Sequence, residues 1–269
     1  MYRHAVSRIR HTQDDERFWL VRSLTGGMAN GGRFAPHRHD WHQLIHVHQG
    51  ALTVRTDRGT WLVPPRWAVW ARAGTDHAIT FHGTCRYAML YVRPRRGVVA
   101  GSRVLPVSEL LAALITRTTT IGMLDRRRSE HRAIAQLLRG ELPASSHPAL
   151  ALPLPTSPLL QRVADAILDH PGEPDDIEVM AGDVGISSRT LERRFRAETG
   201  MSFGAWRRHA RMQFALRCLA EGQAIHAVAR ATGYNSASAF IAAFASVFGT
   251  SPGRFLRTAA ETTAQVGTL

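Results

Sequence analysis

The chain of 269 residues contains no lysine: all 34 of its cationic side chains are arginine, set against 21 acidic residues for a formal charge of +13. It has two cysteines, Cys85 and Cys218, far apart and without a CxxC partner. That spacing excludes a disulfide framework and a cysteine-ligated structural zinc site. Both read as small buried hydrophobes, and a reducing cytoplasm is the natural setting. No window approaches the ~18 apolar residues that a bilayer-spanning helix needs. Met1 to Phe18 carries Arg3, Arg8 and Arg10 with no apolar run behind them, so it does not read as a secretory signal. A hydrophobic share of 44% argues against wholesale disorder. At about 150 residues per domain, the length suits two modest domains.

The basic balance points to a polyanionic partner, nucleic acid first, but its distribution changes that reading. Residues 1–100 hold 15 arginines and 6 acids, whereas residues 156–269 hold 12 and 11. Within the latter, residues 156–185 carry 1 arginine and 7 acids, and residues 186–230 carry 9 and 3. The evidence for nucleic acid is therefore local.

From Phe18 to about Pro94 short β-type runs alternate with glycine turns. The runs are Ala51–Arg55, Thr60–Val63, Trp67–Trp70 and Tyr87–Val92. The turn signals include Gln49-Gly50, Asp57-Arg58-Gly59, Ala73-Gly74 and His82-Gly83. Many short strands of this kind predict a β-barrel or sandwich over residues 1–100. From Pro106 the period becomes helical. Ser108 is an N-cap candidate for a helix through Ile115, and a second helix is predicted over Arg126 to Leu142, with Ile134, Leu137, Leu138 and Leu142 along one stripe. This segment, residues 101–142, is expected to pack on the barrel or to pair with a second subunit. Five prolines between Pro143 and Pro158 predict a stiff, extended linker over residues 143–158.

Residues 159–269 read as all-helical. A short helix, a glycine turn and a second helix occur twice, at Asp176–Thr199 and Ala224–Phe248, joined by a long helix from about Phe203 to Glu221. In such a unit the second helix enters the major groove. In the first unit Leu191 and Phe195 face the core, leaving Arg189, Thr190, Glu192, Arg193 and Arg196 on the outer arc. Arginine pairs bidentately with guanine, and glutamate accepts from cytosine. Ser188 stands where a hydroxyl caps the helix or holds a phosphate. The second unit's helix, Ser236–Phe248, has no charged residue. Ser236 and Ser238 offer hydroxyls, so most sequence discrimination is expected from the first helix.

These motifs carry a resemblance. Gly185-Ile-Ser-Ser-Arg-Thr-Leu-Glu-Arg-Arg-Phe, Glu198-Thr-Gly-Met-Ser-Phe, Ala229-Arg-Ala-Thr-Gly-Tyr and Phe248-Gly-Thr-Ser-Pro-Gly-Arg-Phe fall in the order seen in AraC/XylS-type transcriptional regulators. The resemblance implies that Arg189, Glu192 and Arg193 read bases in the first unit, with Ala237, Ser238, Ile241 and Ala242 in the matching positions of the second. Upstream, Gly31-x5-His37-x-His39-x3-Gln43-x6-Gly50 and then Gly74-x-x-His77 resemble the cupin fingerprint. Gln43 replaces the usual Glu, and His77 holds the ligand place of the second motif. Phe81 and Arg72 stand where that family often has Asn and Pro. The resemblance implies either a divalent Zn, Ni or Fe ion on His37, His39, Gln43 and His77, or an effector pocket lined by them. His42, His46 and His48 are expected to face solvent. The whole arrangement, with Leu150–Pro158 and Trp206-Arg-Arg-His-Ala-Arg-Met, is similar to the NimR-like branch of cupin-containing regulators.

The expected architecture is thus α+β: a cupin-like barrel, two helices, and a C-terminal domain of two helix-turn-helix units joined by a long helix. The expected function is a cytoplasmic, sequence-specific transcriptional regulator that is not an enzyme. Its expected partners are double-stranded promoter DNA and a small-molecule effector or metal, with a homodimer and an RNA polymerase contact left open and no membrane. The competing reading is a metal-dependent cupin enzyme with an appended DNA-binding domain.

Overall fold

A computed structural model describes residues 13–94, 101–142, 150–172 and 176–255. The arginines of Met1–Thr12 and residues 143–149 of the proline-rich stretch lie outside them. Nine strands form one antiparallel sheet that curls on itself: β1 (Trp19–Met28), β2 (Arg33–His37), β3 (His42–Arg55), β4 (Gly59–Val63), β5 (Trp67–Ala71), β6 (His77–Val92), β7 (Arg103–Pro106), β8 (Met123–Asp125) and β9 (Ala151–Pro153). The main path runs β7-β5-β3-β6-β1-β8; β2 pairs with β6, and β4 pairs with β3 and β9. Each long strand serves two parts of the sheet. The first half of β3 pairs with β5 and its second half with β4, while β6 pairs with β2 early and with β1 late.

Gln49-Gly50 and His82-Gly83 are not chain-reversing turns, as their sequences suggest, but bends inside β3 and β6. Gly50 and Gly83 both hold positive φ, at 75° and 71°, and the β3–β6 register shifts between Val47 and Ala51. A Cβ on Gly50 would lie 2.5 Å from the Cys85 sulfur and 2.9 Å from the Thr84 carbonyl oxygen. Glycine is what lets these strands turn the corner.

Alternation along the strands makes two faces. Leu44, Ala68, Trp70, Ala88 and Leu90 face outward onto α1 (Glu109–Ile121) and α2 (Ser129–Gly140), which bury Leu111, Leu114, Ile115, Ile134, Ala135 and Leu138 there. Ser108 caps α1 as expected, accepting from the Leu111 N–H. Leu137, placed on the same stripe by sequence, is instead 49% exposed. Residues 126–128, expected as the first coils of α2, instead form a turn after β8. His42 and His46 also point to this apolar face and are buried, contrary to the solvent placement expected of them. His42 Nδ1 accepts the Ala73 N–H, and His46 Nδ1 donates to the Trp67 carbonyl. Burial is the main reason that the pKa of His46 is lowered to about 4, with His48 a smaller cause.

The remaining helices are α3 (Pro158–Asp169), α4 (Ile177–Asp183), α5 (Ser188–Thr199), α6 (Phe203–Ala220), α7 (Ile225–Ala231) and α8 (Ala237–Phe248). The segment read as a linker does more than tether. Within it Leu150, Leu152 and Leu154 alternate, and β9 adds an edge strand to β4. Leu152 and Leu154 enter the core of α3, α5 and α6, and the Trp206 indole N–H donates to the Pro153 carbonyl at 2.7 Å. Proline is tolerated there because an edge strand can spare the donor. On the other side α6 packs against the barrel, sharing a core of Cys85, Met212, Leu216, Phe240 and Phe244. Cys85 and Cys218 are both buried, as expected of small hydrophobes. Among the described residues, no helix is long and apolar enough to cross a membrane.

Candidate nucleic-acid interface and sensor pocket

The two helix-turn-helix units repeat position by position. Each recognition helix opens on a serine cap: Ser187 accepts from the Thr190 N–H, and Ser236 accepts from the Ala239 N–H. Each buries two rows of large side chains, Leu191 and Phe195 in α5 matching Phe240 and Phe244 in α8. Each ends on a left-handed glycine, Gly200 or Gly249, that closes the helix onto Arg196 O or Ala245 O.

In this frame several polar side chains have intramolecular tasks. The cap of α5 is Ser187 rather than Ser188, which is half-buried in the first turn. The Thr190 hydroxyl lies 3.0 Å from the Ser187 hydroxyl. Glu192 is also engaged. One carboxylate oxygen accepts the Phe203 N–H of α6 at 3.2 Å, and the other lies 3.4 Å from Arg196. Ser236 is a cap. What remains free on the surface of α5 is Arg189, Arg193 and the outer part of Arg196, all exposed. Their spacing of four and then three residues places them on one stripe opposite Leu191 and Phe195. The matching stripe of α8 is Ser238, Ala242 and Ala245, so the two helices present very different chemistry to the same kind of groove.

At the mouth of the barrel His37, His39 and His77 come together as their spacing suggests. Ring centroids are 4.4 Å apart for His37–His77, 5.1 Å for His39–His77 and 6.0 Å for His37–His39. Each ring is anchored through Nδ1 on a backbone carbonyl: His37 on Ala35 at 2.8 Å, His39 on Trp41 at 2.5 Å and His77 on Thr75 at 3.0 Å. Because a carbonyl only accepts, each Nδ1 carries a proton and each Nε2 is turned away from its anchoring carbonyl. One ligand atom from each ring can be chosen so that all three lie within 4.8 Å of one another. Carbonyl-oriented imidazoles of fixed tautomer are the arrangement that metal ligands use, so these residues fit a divalent ion. The buried Gln43 Oε1, an acceptor, lies 3.3 Å from His39 Nε2 and 3.1 Å from His77 Nε2, while its amide nitrogen donates to the Met89 sulfur. Burial is the largest cause of the lowered pKa of His77, which keeps the ring neutral at neutral pH.

Two further residues belong to this mouth. Directly paired residues on antiparallel neighbours point to the same side, and the register sets Arg22 of β1 opposite Tyr91 of β6, and Tyr91 opposite Gln43 of β3. The Tyr91 ring lies 5.2 Å from His39 and under the Arg22 guanidinium at 5.8 Å. Sequence alone has no signal for this row, because it depends on the pairing of three distant strands.

The barrel also meets α6 through a polar contact. His82 Nε2 is 2.8 Å from the Thr53 hydroxyl, and Nδ1 is 3.9 Å from Glu221 just beyond α6. Burial, with a smaller contribution from Arg217, lowers the pKa of His82 to about 3.

Comparison with known proteins agrees with this architecture. Residues 23–154 match the AraC-like ligand binding domain, and residues 180–258 match a helix-turn-helix domain family. The chain is 31% identical to the HTH-type transcriptional regulator NimR of Escherichia coli over 225 residues, which cover 82% of this chain and 81% of that one. The chain is an AraC-type transcriptional regulator. It is also 34% identical over 115 residues to the HTH-type transcriptional regulator RipA of Corynebacterium glutamicum, covering 43% of this chain and 33% of that protein. The C-terminal domain of AraT from Geobacillus stearothermophilus is 30% identical over 38% of this chain and 86% of that one, with a TM-score of 0.36. As an AraC-type regulator, the protein binds DNA through its helix-turn-helix region and a ligand through its N-terminal domain.

Proposed function

We propose that this regulator discriminates its operator chiefly with α5 and senses its ligand at the histidine-lined mouth of the barrel. The observation that carries the first part is the exposed stripe of Arg189, Arg193 and Arg196, set against Ser238, Ala242 and Ala245 in α8. Arg189 and Arg193 are the base readers, and each suits guanine N7 and O6 in the major groove. Arg196 and Ser188 lie toward phosphate. Thr190, Glu192 and Ser236 act on helix geometry, and Ser238 is the one polar contact of α8 within its matching stripe. A helix with alanine in those positions approaches the duplex closely and favours thymine methyls.

For the barrel, His37, His39 and His77, with the Gln43 amide as a fourth donor, would hold a Zn, Ni or Fe ion. Such an ion would tie β2 and the loop after it to β3 and β6. Occupancy at the mouth reaches the reader domain through strands that α6 touches, because the far part of β6 meets the end of α6 at His82 and Gly83. A ligand shifts the balance of two arrangements only by binding one of them better.

The protein acts in the cytoplasm without catalysing a reaction, a reading supported by relatives that are named as transcriptional regulators. The exposed Leu110 and Leu137 on α1 and α2 support pairing of two copies through those helices, and DNA-bound dimers would then stand within reach of RNA polymerase. DNase I footprinting of the DNA upstream of the gene, with and without zinc, tests the reading. Protection of a discrete site whose extent or affinity changes with zinc supports it. Uniform protection of unrelated DNA refutes the operator reading, and an unchanged footprint with zinc refutes the metal.

A further inference from the structure

The long helix α6 is shared by two cores. Its first half, with Phe203, Trp206 and Ala210, packs with α3 and α5. Its second half, with Met212, Leu216 and Leu219, packs with α7 and α8. The seam between the two helix-turn-helix units therefore falls at Arg211. Long helices curve rather than stay straight, so α6 by itself is a compliant spacer between α5 and α8.

A second connection crosses that seam. α3 belongs to the first unit, and the Pro171-Gly172 turn at its end runs against the second. A Cβ on Gly172 would lie 2.1 Å from the Ala231 carbonyl oxygen at the end of α7, and one on Gly233 would lie 2.9 Å from the Gly172 carbonyl oxygen. Gly185 holds the matching place in the turn of the first unit and has nothing within 4 Å. The contact is therefore particular to the second turn and does not come with the motif. Thr232 steadies that turn from inside: it is fully buried, and its hydroxyl donates to the Val228 carbonyl at 2.7 Å. Arg211 closes the corner. Its Nε donates to the Pro171 carbonyl at 3.2 Å, and its guanidinium lies 6.0 Å from the Tyr234 ring. One half-buried side chain on the seam thus touches the end of α3 and the turn of the second unit.

We propose that Gly172, Gly233 and Arg211 form a clamp that fixes the separation of α5 and α8, and that this makes the spacing of the two contacted DNA segments part of operator recognition. The three are positioning residues, and none stands on the stripes assigned to DNA. A carbon–oxygen contact takes about 3.3 Å, so any side chain at position 172 parts the two backbones by about 1 Å. Successive base pairs stand about 3.4 Å apart along the duplex, and each turns the helix by about 35°. A clamp that holds the units to within about 1 Å therefore distinguishes spacings that differ by one base pair.

Competition gel shifts with the full chain test this on the footprinted operator and on the same DNA with one base pair inserted or deleted between the segments under α5 and α8. The ratio of the two affinities is taken within one protein, so a change in folded fraction cancels. Wild type should bind each altered spacing at least about tenfold more weakly. Gly172→Ala and Arg211→Met should reduce that penalty to about threefold or less. Gly204→Ala, at a position in α6 with nothing within 4 Å, should keep the wild-type penalty. Arg211→Met removes a donor without adding a clash, so it decides the matter if Gly172→Ala does not fold. Equal penalties in wild type and the clamp variants overturn the inference, as does a wild type indifferent to spacing. Either result leaves the base readers of α5 untouched, because their contribution is read as the ratio of operator to scrambled DNA.

Discussion

Glu192 separates fold maintenance from base reading inside the recognition helix, and Glu192→Ala gives a measurable result. In α5 this side chain accepts the Phe203 N–H that opens α6 and lies beside Arg196. A hydrogen bond from a backbone N–H to a charged group contributes about 1.5–3 kcal/mol when sheltered. The Glu192 side chain is 38% exposed, so solvent reduces that to about 1–1.5 kcal/mol. The exposed Arg196 pair adds roughly 0.3–0.5 kcal/mol. The expected loss is therefore about 1.5 kcal/mol. Because the reader shares two cores with the barrel, the described fold should melt as one large unit, for which 1 kcal/mol shifts Tm by about 2–4 °C. Differential scanning calorimetry should then show Glu192→Ala melting about 3–6 °C lower, with Glu192→Gln retaining most of the stability because its amide oxygen still accepts. Competition gel shifts over single-base variants of the operator should show the same order of preference as wild type. An unchanged Tm together with an altered preference at one base pair would refute the reasoning and make Glu192 a base reader.

Arg193→Ala should behave the opposite way, costing about 1–3 kcal/mol of operator affinity and relaxing preference at one position with no change in Tm; uniform weakening on all sequences would place Arg193 on phosphate. Gly83→Ala should destabilise by about 2–4 kcal/mol in urea denaturation, from left-handed strain of about 1–2 kcal/mol plus a Cβ 2.7 Å from the Ala220 carbonyl oxygen. Gly31→Ala, at φ 76° with nothing within 4 Å, isolates the strain alone. Stability should also fall on acidification. His46 and His82 have pKa values of about 4 and about 3, below the ordinary 6.5, so the unfolded chain binds more protons below about pH 6.5. Their contribution is fully present above that pH and is lost on going down, at roughly 1–2 kcal/mol for each ring by pH 5. His46→Gln and His82→Gln should each flatten the pH dependence of the urea midpoint, and a slope unchanged in both would exclude these rings as its source.

Much of this was legible in the sequence because the signals were local. Alternating apolar residues marked β3 to β6, serine and glycine punctuation marked α5 and α8, and the paired units announced themselves by repetition. The histidine ligand spacing also brought His37, His39 and His77 together as expected. The rest failed where a strong local cue masked a weaker one. Five prolines outweighed the alternation of Leu150, Leu152 and Leu154, which builds β9 and links the domains. Gln49-Gly50 and His82-Gly83 looked like turns because a glycine bend within a strand has the same composition. Ser187 and Ser188 are adjacent candidates for one cap, and the Ser187–Thr190 spacing was the available signal for the right one. Arg22 and Tyr91 had no signal, since only strand register places them beside Gln43.

The proposed reading gives the opening imbalance of charge a narrower meaning: the arginines it assigns to base reading are those on one stripe of one helix. Competition gel shifts therefore test the account most directly, comparing wild type and the Arg189→Ala/Arg193→Ala double variant on operator and scrambled DNA at one salt concentration. The account predicts that wild type prefers the operator by about 10³-fold or more, that the double variant loses most of this ratio, and that its affinity for scrambled DNA falls far less. A double variant that keeps the wild-type ratio would contradict it, because specificity would then reside outside the arginine stripe of α5.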